Sequence, residues 1–430
     1  MNTKLKAFIA LSPVLLLIIV YLSASLLAKD FYLVPVSVAF VIASLYAMFL
    51  LKGRSIKERI DIFARGAAQS DVMYMIWIFC LAGVFAASAK AMGAIDATVA
   101  LTLALVPSQF IPLGIFVATC FISVSIGTSV GTIVALTPVV SAMAPELNLS
   151  LPWLLAIVVG GAFFGDNLSF ISDTTIAATQ TQHCKMSDKF RTNLAIVLPA
   201  ALVTMLLYII GNNATPVAAV SMQDIVWIRL LPYLLVIALA LCGMNVLLVL
   251  LIGIFSTDLI AFFEGGFSPL DMFVSAGEGL KGMYELILVT LMAAGMMNII
   301  KELGGFDYLI RLLSLRVKGK RAAEAVISLM TVLVNICTAN NTIAILTTGS
   351  IAREMSLRYG LSPRKVASLM DTSSCFAQGI LPYGAQLLMA SALAGVSPLA
   401  IIPYLYYPML IGLMLIFAII FRFPKDKASA

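Results

Sequence analysis

The chain has 430 residues, of which 61% are hydrophobic and only 11% are charged, and its mean hydropathy is +1.05. Soluble globular proteins carry about 25% charged residues, so this composition excludes a soluble domain and predicts a helical integral membrane protein. The net charge of +6 does not indicate nucleic-acid binding, because the basic residues cluster between apolar segments. We therefore expect no nucleic-acid partner.

Ten apolar segments are long enough to cross a membrane, since about 20 helical residues span the hydrocarbon core. The predicted transmembrane helices lie near residues 7–27, 31–51, 72–90, 153–182, 193–211, 222–241, 245–263, 283–300, 366–394 and 400–421. The first follows Lys4 and Lys6, as a signal peptide would. It is longer than a typical signal-peptide core and a second span follows at once, so we predict that it is retained.

Two further apolar segments, 110–145 and 321–357, are too long for one span and too short for two. Each has a small polar break in its middle. We predict that both are re-entrant hairpins, which membranes tolerate only where the hairpin is buried in protein or lines a wet cavity.

Two of the predicted spans, 153–182 and 366–394, are interrupted by long polar motifs and are predicted to be broken helices. The motifs are Gly165-Asp166-Asn167-Leu168-Ser169-Phe170-Ile171-Ser172-Asp173-Thr174-Thr175 and Met370-Asp371-Thr372-Ser373-Ser374-Cys375-Phe376-Ala377-Gln378-Gly379. An acidic residue at bilayer depth costs roughly 2.5–3.5 kcal/mol on the insertion scale. We therefore interpret the motifs as the two halves of an ion site.

An internal repeat divides the chain into residues 1–212 and 213–430. Three polar stretches recur in the same order: Lys90–Asp96 with Lys301–Asp307, Thr128–Ile133 with Thr338–Ile343, and Asp166 and Ser169 with Asp371 and Ser374. Chance similarity between apolar segments is the competing explanation. Each predicted half has five crossings, and an odd number makes the second half enter from the opposite side, as in transporters with inverted repeats.

The predicted fold is thus an all-α integral membrane protein. It has about ten transmembrane helices plus two re-entrant hairpins, arranged in two inverted-topology repeats with two broken helices. Cytoplasmic loops carry an excess of Lys and Arg, and this topology with a cytoplasmic N-terminus leaves only four of the 27 outside, namely Lys29, Lys90, Arg229 and Lys281. Segment 183–191, which contains Lys189, is then an inside loop, and both termini are predicted to be cytoplasmic in a bacterial inner membrane.

The polar breaks suit a hard cation such as Na⁺, because broken helices free backbone carbonyls that carboxylate and hydroxyl oxygens can supplement. The predicted ion- and proton-binding residues are Asp166, Asn167, Ser169, Ser172, Asp173, Thr174, Asp371 and Ser374, with Na⁺ near Asp166 and Asp173. The predicted contacts from the hairpin tips are Thr128, Ser129, Thr132, Thr338, Asn340, Asn341 and Thr342. Gln378 and Tyr383 are candidate contacts for an organic substrate.

A buried aspartate can couple two ions, because burial disfavours its charged form whereas a nearby cation favours it. One carboxylate could then hold either H⁺ or Na⁺, and competition between them would give exchange. Our candidates for the exchanging group are Asp166 and Asp173, with Asp371 as the partner in the second half. The alternative is that these side chains only stabilise broken helices, although a neutral Asn would do so at lower cost.

The motif from Gly165 to Thr175 resembles the signature of the NhaC-type family of bacterial sodium/proton antiporters, and the resemblance extends to Ser125–Pro138. It implies an ion-transporter fold with inverted repeats and paired re-entrant hairpins, and an elevator-like movement of a transport domain. Phe170 departs from the proline that many members have at this position. Relatives of this family include malate/lactate exchangers.

The sequence therefore leaves two secondary transport functions open. One is Na⁺/H⁺ antiport, and the other is Na⁺- or H⁺-coupled transport of a small organic anion or an amino acid. An intramembrane enzyme acting on a lipid pyrophosphate and an ion channel are less well supported. We expect no enzymatic activity and no cofactor beyond the transported Na⁺ and H⁺. The expected partners are these two ions and the lipid bilayer, with an organic solute and a homodimer left open.

Overall fold

The computed structural model of the protein describes residues 3–28, 35–169, 172–212, 225–242, 244–265, 267–305, 308 and 317–424. These residues form helices and connecting turns, and no strand occurs among them. The predicted all-α class is therefore confirmed.

The α-helices of the first half are α1 (Thr3–Ala28), α2 (Val36–Leu50), α3 (Ile56–Ala67), α4 (Ser70–Met92), α5 (Ala94–Leu105), α6 (Ile111–Ile126), α7 (Ser129–Glu146), α8 (Leu151–Leu168), α9 (Asp173–Gln182) and α10 (Met186–Ile210). Those of the second half are α11 (Leu231–Leu241), α12 (Val246–Phe263), α13 (Pro269–Gly282), α14 (Tyr284–Glu302), α15 (Lys320–Thr338), α16 (Asn341–Tyr359), α17 (Pro363–Ile380), α18 (Ala385–Ala394), α19 (Pro398–Ile401) and α20 (Tyr406–Ile420).

Seven helical segments of the described chain are long and apolar enough to cross a membrane, and a bent pair would make an eighth. The seven are Val72–Met92, Ser129–Glu146, Leu151–Gln182, Met186–Ile210, Val246–Phe263, Tyr284–Glu302 and Lys320–Thr338. Two of them, α7 and α15, lie within the predicted hairpins. Length and composition do not distinguish a hairpin arm from a full crossing, so the number of about ten crossings stays a prediction.

Each predicted hairpin segment contains two helices with a sharp break at the expected polar residues. The first break is at Gly127, which has a positive φ of 74°, and Thr128 then caps the N-terminus of α7. The second is at Ala339, with φ of 50°, and Asn340 caps α16. A non-glycine residue rarely adopts this left-handed conformation, so the turn at Ala339 is the more strained of the two.

The two predicted broken helices are confirmed. The first is α8 followed by α9, with Ser169 and Ser172 on either side of the break; Phe170 and Ile171 lie outside the described residues. The second is α17 followed by α18, with Pro382 in the break. Both α8 and α17 are buried on nearly all sides, so their polar motifs lie inside the protein and not against lipid.

Small residues allow α8 and α6 to approach closely, as they do in many membrane helix pairs. A Cβ atom at Gly165 would overlap that of Ser123 and come within 2.5 Å of the backbone nitrogen of Val124. The Ser123 hydroxyl donates to the carbonyl of Ala162 across the same contact at 2.6 Å. The position of Asp166, one residue after Gly165, therefore depends on this close packing.

Replacing Gly165 with alanine should destabilise the protein, because the new methyl group would force α6 away from α8. We expect a clearly lower unfolding temperature in detergent for Gly165→Ala. Gly114→Ala is the matched control, since a methyl group added at Gly114 on α6 would meet no atom within 4 Å. Equal stability of Gly165→Ala and the wild type would show that α6 can move without cost.

Candidate ion-binding site

Asp166 lies in the last turn of α8 and is 5% exposed. One of its carboxylate oxygens accepts a hydrogen bond from the Ser129 hydroxyl of α7 at 2.8 Å, and the other accepts one from Ser172 at the start of α9. The Thr174 hydroxyl lies 2.9 Å from that of Ser172. No Lys, Arg or His side chain of the described chain forms an ion pair with Asp166. Its immediate polar partners are therefore neutral hydroxyl groups.

A chain of hydrogen bonds connects Asp166 with the second half of the protein. The Ser129 hydroxyl accepts from the side-chain amide of Gln386 at 3.0 Å, and Gln386 accepts from the amide of Gln378 at 2.9 Å. The same amide of Gln378 donates to the carbonyl of Ala339 at 2.9 Å. Asp166 and the turn of the second hairpin are thus joined through three side chains.

Asp371 lies within α17, is fully buried, and forms an ion pair with Lys189 from the first turn of α10. The ammonium of Lys189, which is 1% exposed, also donates to the carbonyl of Asn167 at 2.6 Å and to the hydroxyl of Thr175 at 2.8 Å. The contact with Asp371 is a close ion pair without aligned hydrogen-bond geometry. Asp371 therefore already has a cationic partner from the chain, whereas Asp166 has none among the described residues.

Asn193, one helical turn after Lys189, holds α8, α10 and α17 together. Its amide nitrogen donates to the carbonyl of Asn167 at 2.8 Å, and its carbonyl oxygen accepts from the hydroxyls of Ser368 at 2.7 Å and Thr372 at 2.8 Å. All of these side chains are buried. Asn193 thus positions the helix that carries Asp166 relative to the helix that carries Asp371.

Several predicted site residues bond to nearby backbone in this structure. Ser169 donates to the carbonyl of Val124 at 2.8 Å, Thr132 to that of Thr128 at 2.9 Å, and Ser374 to that of Asp371 at 2.9 Å. The first two contacts satisfy carbonyl groups next to the break at Gly127, whereas the third lies within α17.

The predicted contacts at the second hairpin form a separate polar group. Thr338 donates to the carbonyl of Asn340 at 3.1 Å, and the side chains of Asn340 and Asn341 accept from backbone nitrogens of α16 at 3.0 and 3.1 Å. The Tyr383 hydroxyl donates to the carbonyl of Ile336 at 2.7 Å. Thr338, Asn340 and Tyr383 line a cavity of about 210 Å³, together with Asn298 and Lys301 of α14.

The two candidates for the exchanging group differ in burial. Asp166 is buried, whereas Asp173 is exposed at the first position of α9. The structure thus brings Asp166, Ser129, Ser172 and Thr174 together, and leaves the carboxylate of Asp173 at a surface.

The sequence does not predict the role of Lys189, because the distribution of charges places its segment in a cytoplasmic loop. The structure places Lys189 in the first turn of α10, buried against Asp371, and not in a loop. The cytoplasmic side of segment 183–191 stays a prediction. The sequence does contain an indication of this role. Lys189 and Asn193 are four residues apart at the start of an apolar segment, so a helix puts them on one face. Gln386, which contacts Ser129, was not among the predicted site residues.

Comparison with known proteins gives the following matches. The sequence model described as the Na⁺/H⁺ antiporter family matches residues 3–212 and again residues 212–424. Over 368 residues, the chain is 23% identical to the Na⁺/H⁺ antiporter NhaC of Bacillus subtilis, covering 77% of this chain and 80% of that protein. It is also 22% identical over 444 residues to the malate-2H⁺/Na⁺-lactate antiporter of Bacillus subtilis, covering 95% of this chain and 94% of that protein. Among solved structures, the YdaH transporter of Alcanivorax borkumensis matches with 12% identity and a TM-score of 0.41, covering 85% of this chain and 88% of that chain.

Asn193→Ala should lower the free energy of unfolding by about 1–3 kcal/mol, because it leaves buried hydroxyl and carbonyl groups without partners. Urea titration in mild detergent would measure this change. Thr192→Ala is the control. Among the described residues, the Thr192 hydroxyl bonds only to its own helix, at the Asp188 carbonyl, and such bonds contribute little. Equal free energies of unfolding for Asn193→Ala and Thr192→Ala would show that Asn193 does not hold the three helices together.

Proposed function

The chain belongs to the Na⁺/H⁺ antiporter family, whose sequence model covers nearly all of it, and we propose that it exchanges Na⁺ for H⁺ at the carboxylate of Asp166. By its family and its apolar helices it is a multi-pass membrane protein and a secondary active antiporter. One observation carries the proposal: Asp166 is a buried carboxylate whose hydrogen-bond partners, Ser129 and Ser172, are both hydroxyl groups.

Hydroxyl partners suit both states of an exchanging carboxylate. A serine hydroxyl can donate to a charged carboxylate, or it can rotate and offer its oxygen lone pairs. With H⁺ bound, the protonated carboxyl group of Asp166 can donate to Ser129 or Ser172. With Na⁺ bound, the oxygens of Asp166, Ser129 and Ser172 can coordinate the ion together, because hard cations prefer oxygen ligands.

Burial supplies the coupling between the two ions. A charged carboxylate without a counter-ion is costly in a membrane interior, so an unoccupied, charged Asp166 is disfavoured. The site then alternates between the two sides of the membrane only with H⁺ or Na⁺ bound, and this links the flow of one ion to that of the other. Asp173 lacks this burial, and we therefore assign the exchange to Asp166 and not to Asp173.

We further propose the inverted repeat, cytoplasmic termini and a location in a bacterial inner membrane. The family model matches each half separately, and the helix breaks occur at corresponding polar stretches in the two halves, which supports the repeat. The distribution of Lys and Arg supports the orientation of the termini. No cofactor is needed for this mechanism.

A specific observation favours a second candidate function, the transport of a small organic anion. The cavity of about 210 Å³ at the second hairpin is larger than a bare ion requires, and its described lining includes the basic Lys301 but no acidic side chain. One relative is a malate-2H⁺/Na⁺-lactate antiporter. A carboxylate solute could contact Lys301, Asn340 and Tyr383 in this cavity.

Asp166→Asn should abolish Na⁺-driven proton movement, because an amide can neither take up a proton nor neutralise a cation. A pH-sensitive dye inside proteoliposomes would record it after a Na⁺ step. The amide oxygen can still accept from one of the two serines, and the amide nitrogen can donate to the hydroxyl of the other, which can rotate to accept, so the variant should fold. Asp173→Asn is the matched control and should keep most of the activity; the reverse pattern would assign exchange to Asp173.

The same vesicles test competition at one site in the wild type. As the pH falls, a growing fraction of Asp166 carries a proton and cannot bind Na⁺. The apparent KM for Na⁺ should therefore rise by up to about tenfold per pH unit, in inverse proportion to the deprotonated fraction. A KM for Na⁺ that does not change with pH would contradict a shared site.

For the second candidate, vesicles preloaded with malate or lactate should show counterflow of the labelled solute. Lys301→Gln should then weaken solute uptake strongly and leave Na⁺/H⁺ exchange unchanged. Lys281→Gln is a control of the same charge, on the exposed end of α13. If malate, lactate and amino acids all fail to show counterflow while Na⁺/H⁺ exchange proceeds, the second candidate function is wrong and only ion exchange remains.

A further inference from the structure

We propose that the ammonium of Lys189 is a tethered cation that fills a second cation site at Asp371, so that only Asp166 binds a transported Na⁺. This inference rests on the proposed function, because it treats Asp166 as the open counterpart of Asp371. It goes beyond that function by assigning a role to Lys189 and a number of Na⁺ ions to the protein.

The groups around the Lys189 ammonium form a ligand set that Na⁺ could also use. They are the Asp371 carboxylate, the Asn167 carbonyl at 2.6 Å and the Thr175 hydroxyl at 2.8 Å. The Asn167 carbonyl lies in the last turn of α8, where carbonyl groups lack a partner within the helix. A carboxylate, a carbonyl at a helix break and a hydroxyl are typical ligands of a hard cation in transporters. Lys189 is 1% exposed, so its charge interacts with groups inside the protein and not with solvent.

The two halves differ at this point although their aspartates correspond. Asp371 pairs with Lys189, whereas no basic side chain of the described residues pairs with Asp166. The sequence has a matching asymmetry, because residues 366–421 contain neither Lys nor Arg. The described residues of the second half therefore supply no counterpart of Lys189 to Asp166. The second half contributes a neutral group near Asp166 instead: the amide of Gln386 donates to Ser129, which in turn donates to Asp166.

A tethered cation keeps one carboxylate out of the exchange. The pair of Asp371 and Lys189 is electrically neutral whether Asp166 holds Na⁺ or H⁺. Removing one partner of a buried ion pair leaves an uncompensated charge, which is strongly unfavourable. Without the ammonium, Asp371 must therefore take up a proton or bind a cation from solution. Alkaline pH and saturating Na⁺ favour the cation, and the oxygen ligands for Na⁺ are already in place.

The test counts the Na⁺ ions bound to the purified protein with ²²Na⁺ at saturating Na⁺ and alkaline pH. We expect about one ion per chain for the wild type and about two for Lys189→Met, because the freed site at Asp371 then also fills by mass action. Lys189→Arg keeps the charge and should resemble the wild type. The double variant Lys189→Met/Asp371→Asn removes both charges and should return to about one ion per chain.

A second measurement covers variants that fold poorly. The unfolding temperatures of Lys189→Met and Lys189→Gln should rise more steeply with Na⁺ concentration than that of the wild type, because bound ions stabilise the folded state. If both variants stay unfolded even at high Na⁺, Na⁺ cannot replace the ammonium and the inference is overturned. A folded Lys189→Met that binds the same number of Na⁺ ions as the wild type would overturn this inference alone. A wild type that binds no Na⁺ would overturn the proposed function as well.

Discussion

A carboxylate buried in a membrane protein must be balanced by a proton or a cation, and this requirement governs the interior of the present structure. Asp371 is balanced by Lys189, a cation of the chain itself. Asp166 has hydroxyl partners and no basic side chain paired with it among the described residues. We propose that a proton or an ion from solution balances the charge of Asp166. In the proposed mechanism, this difference makes Asp166, and not Asp371, suitable for exchange.

The surrounding helices give these two carboxylates different partners. Close packing at Gly165 positions the end of α8, where Asp166 lies. One face of α10 carries Lys189 and Asn193, which bond to α8 on one side and to α17 on the other. The hydrogen-bond chain through Gln386 reaches the second hairpin. A shift of either hairpin would therefore change the hydrogen bonds that lead to Asp166, and we propose that this chain couples ion occupancy to helix movement.

The hydropathy pattern and the polar interruptions predicted the all-α class and the two broken helices, because a long apolar segment with a polar break has few alternatives in a membrane. The pattern did not fix the number of crossings, since a hairpin arm such as α7 is as apolar as a true span. It also did not separate Asp166 from Asp173, because burial depends on how the helices pack around the break. Lys189 was missed for a related reason: counting charges assigns a lysine at a helix start to a loop, although tertiary contacts bury it.

The most direct test of the account is the number of protons released when Na⁺ binds. Calorimetric titration of the purified protein with Na⁺, in buffers of different ionisation enthalpy, gives this number. At a pH where Asp166 is mostly protonated, we predict release of about one proton per Na⁺ in the wild type, since metal binding displaces the proton of its ligand, and none in Asp166→Asn. Tight Na⁺ binding to the wild type without proton release would contradict a shared carboxylate.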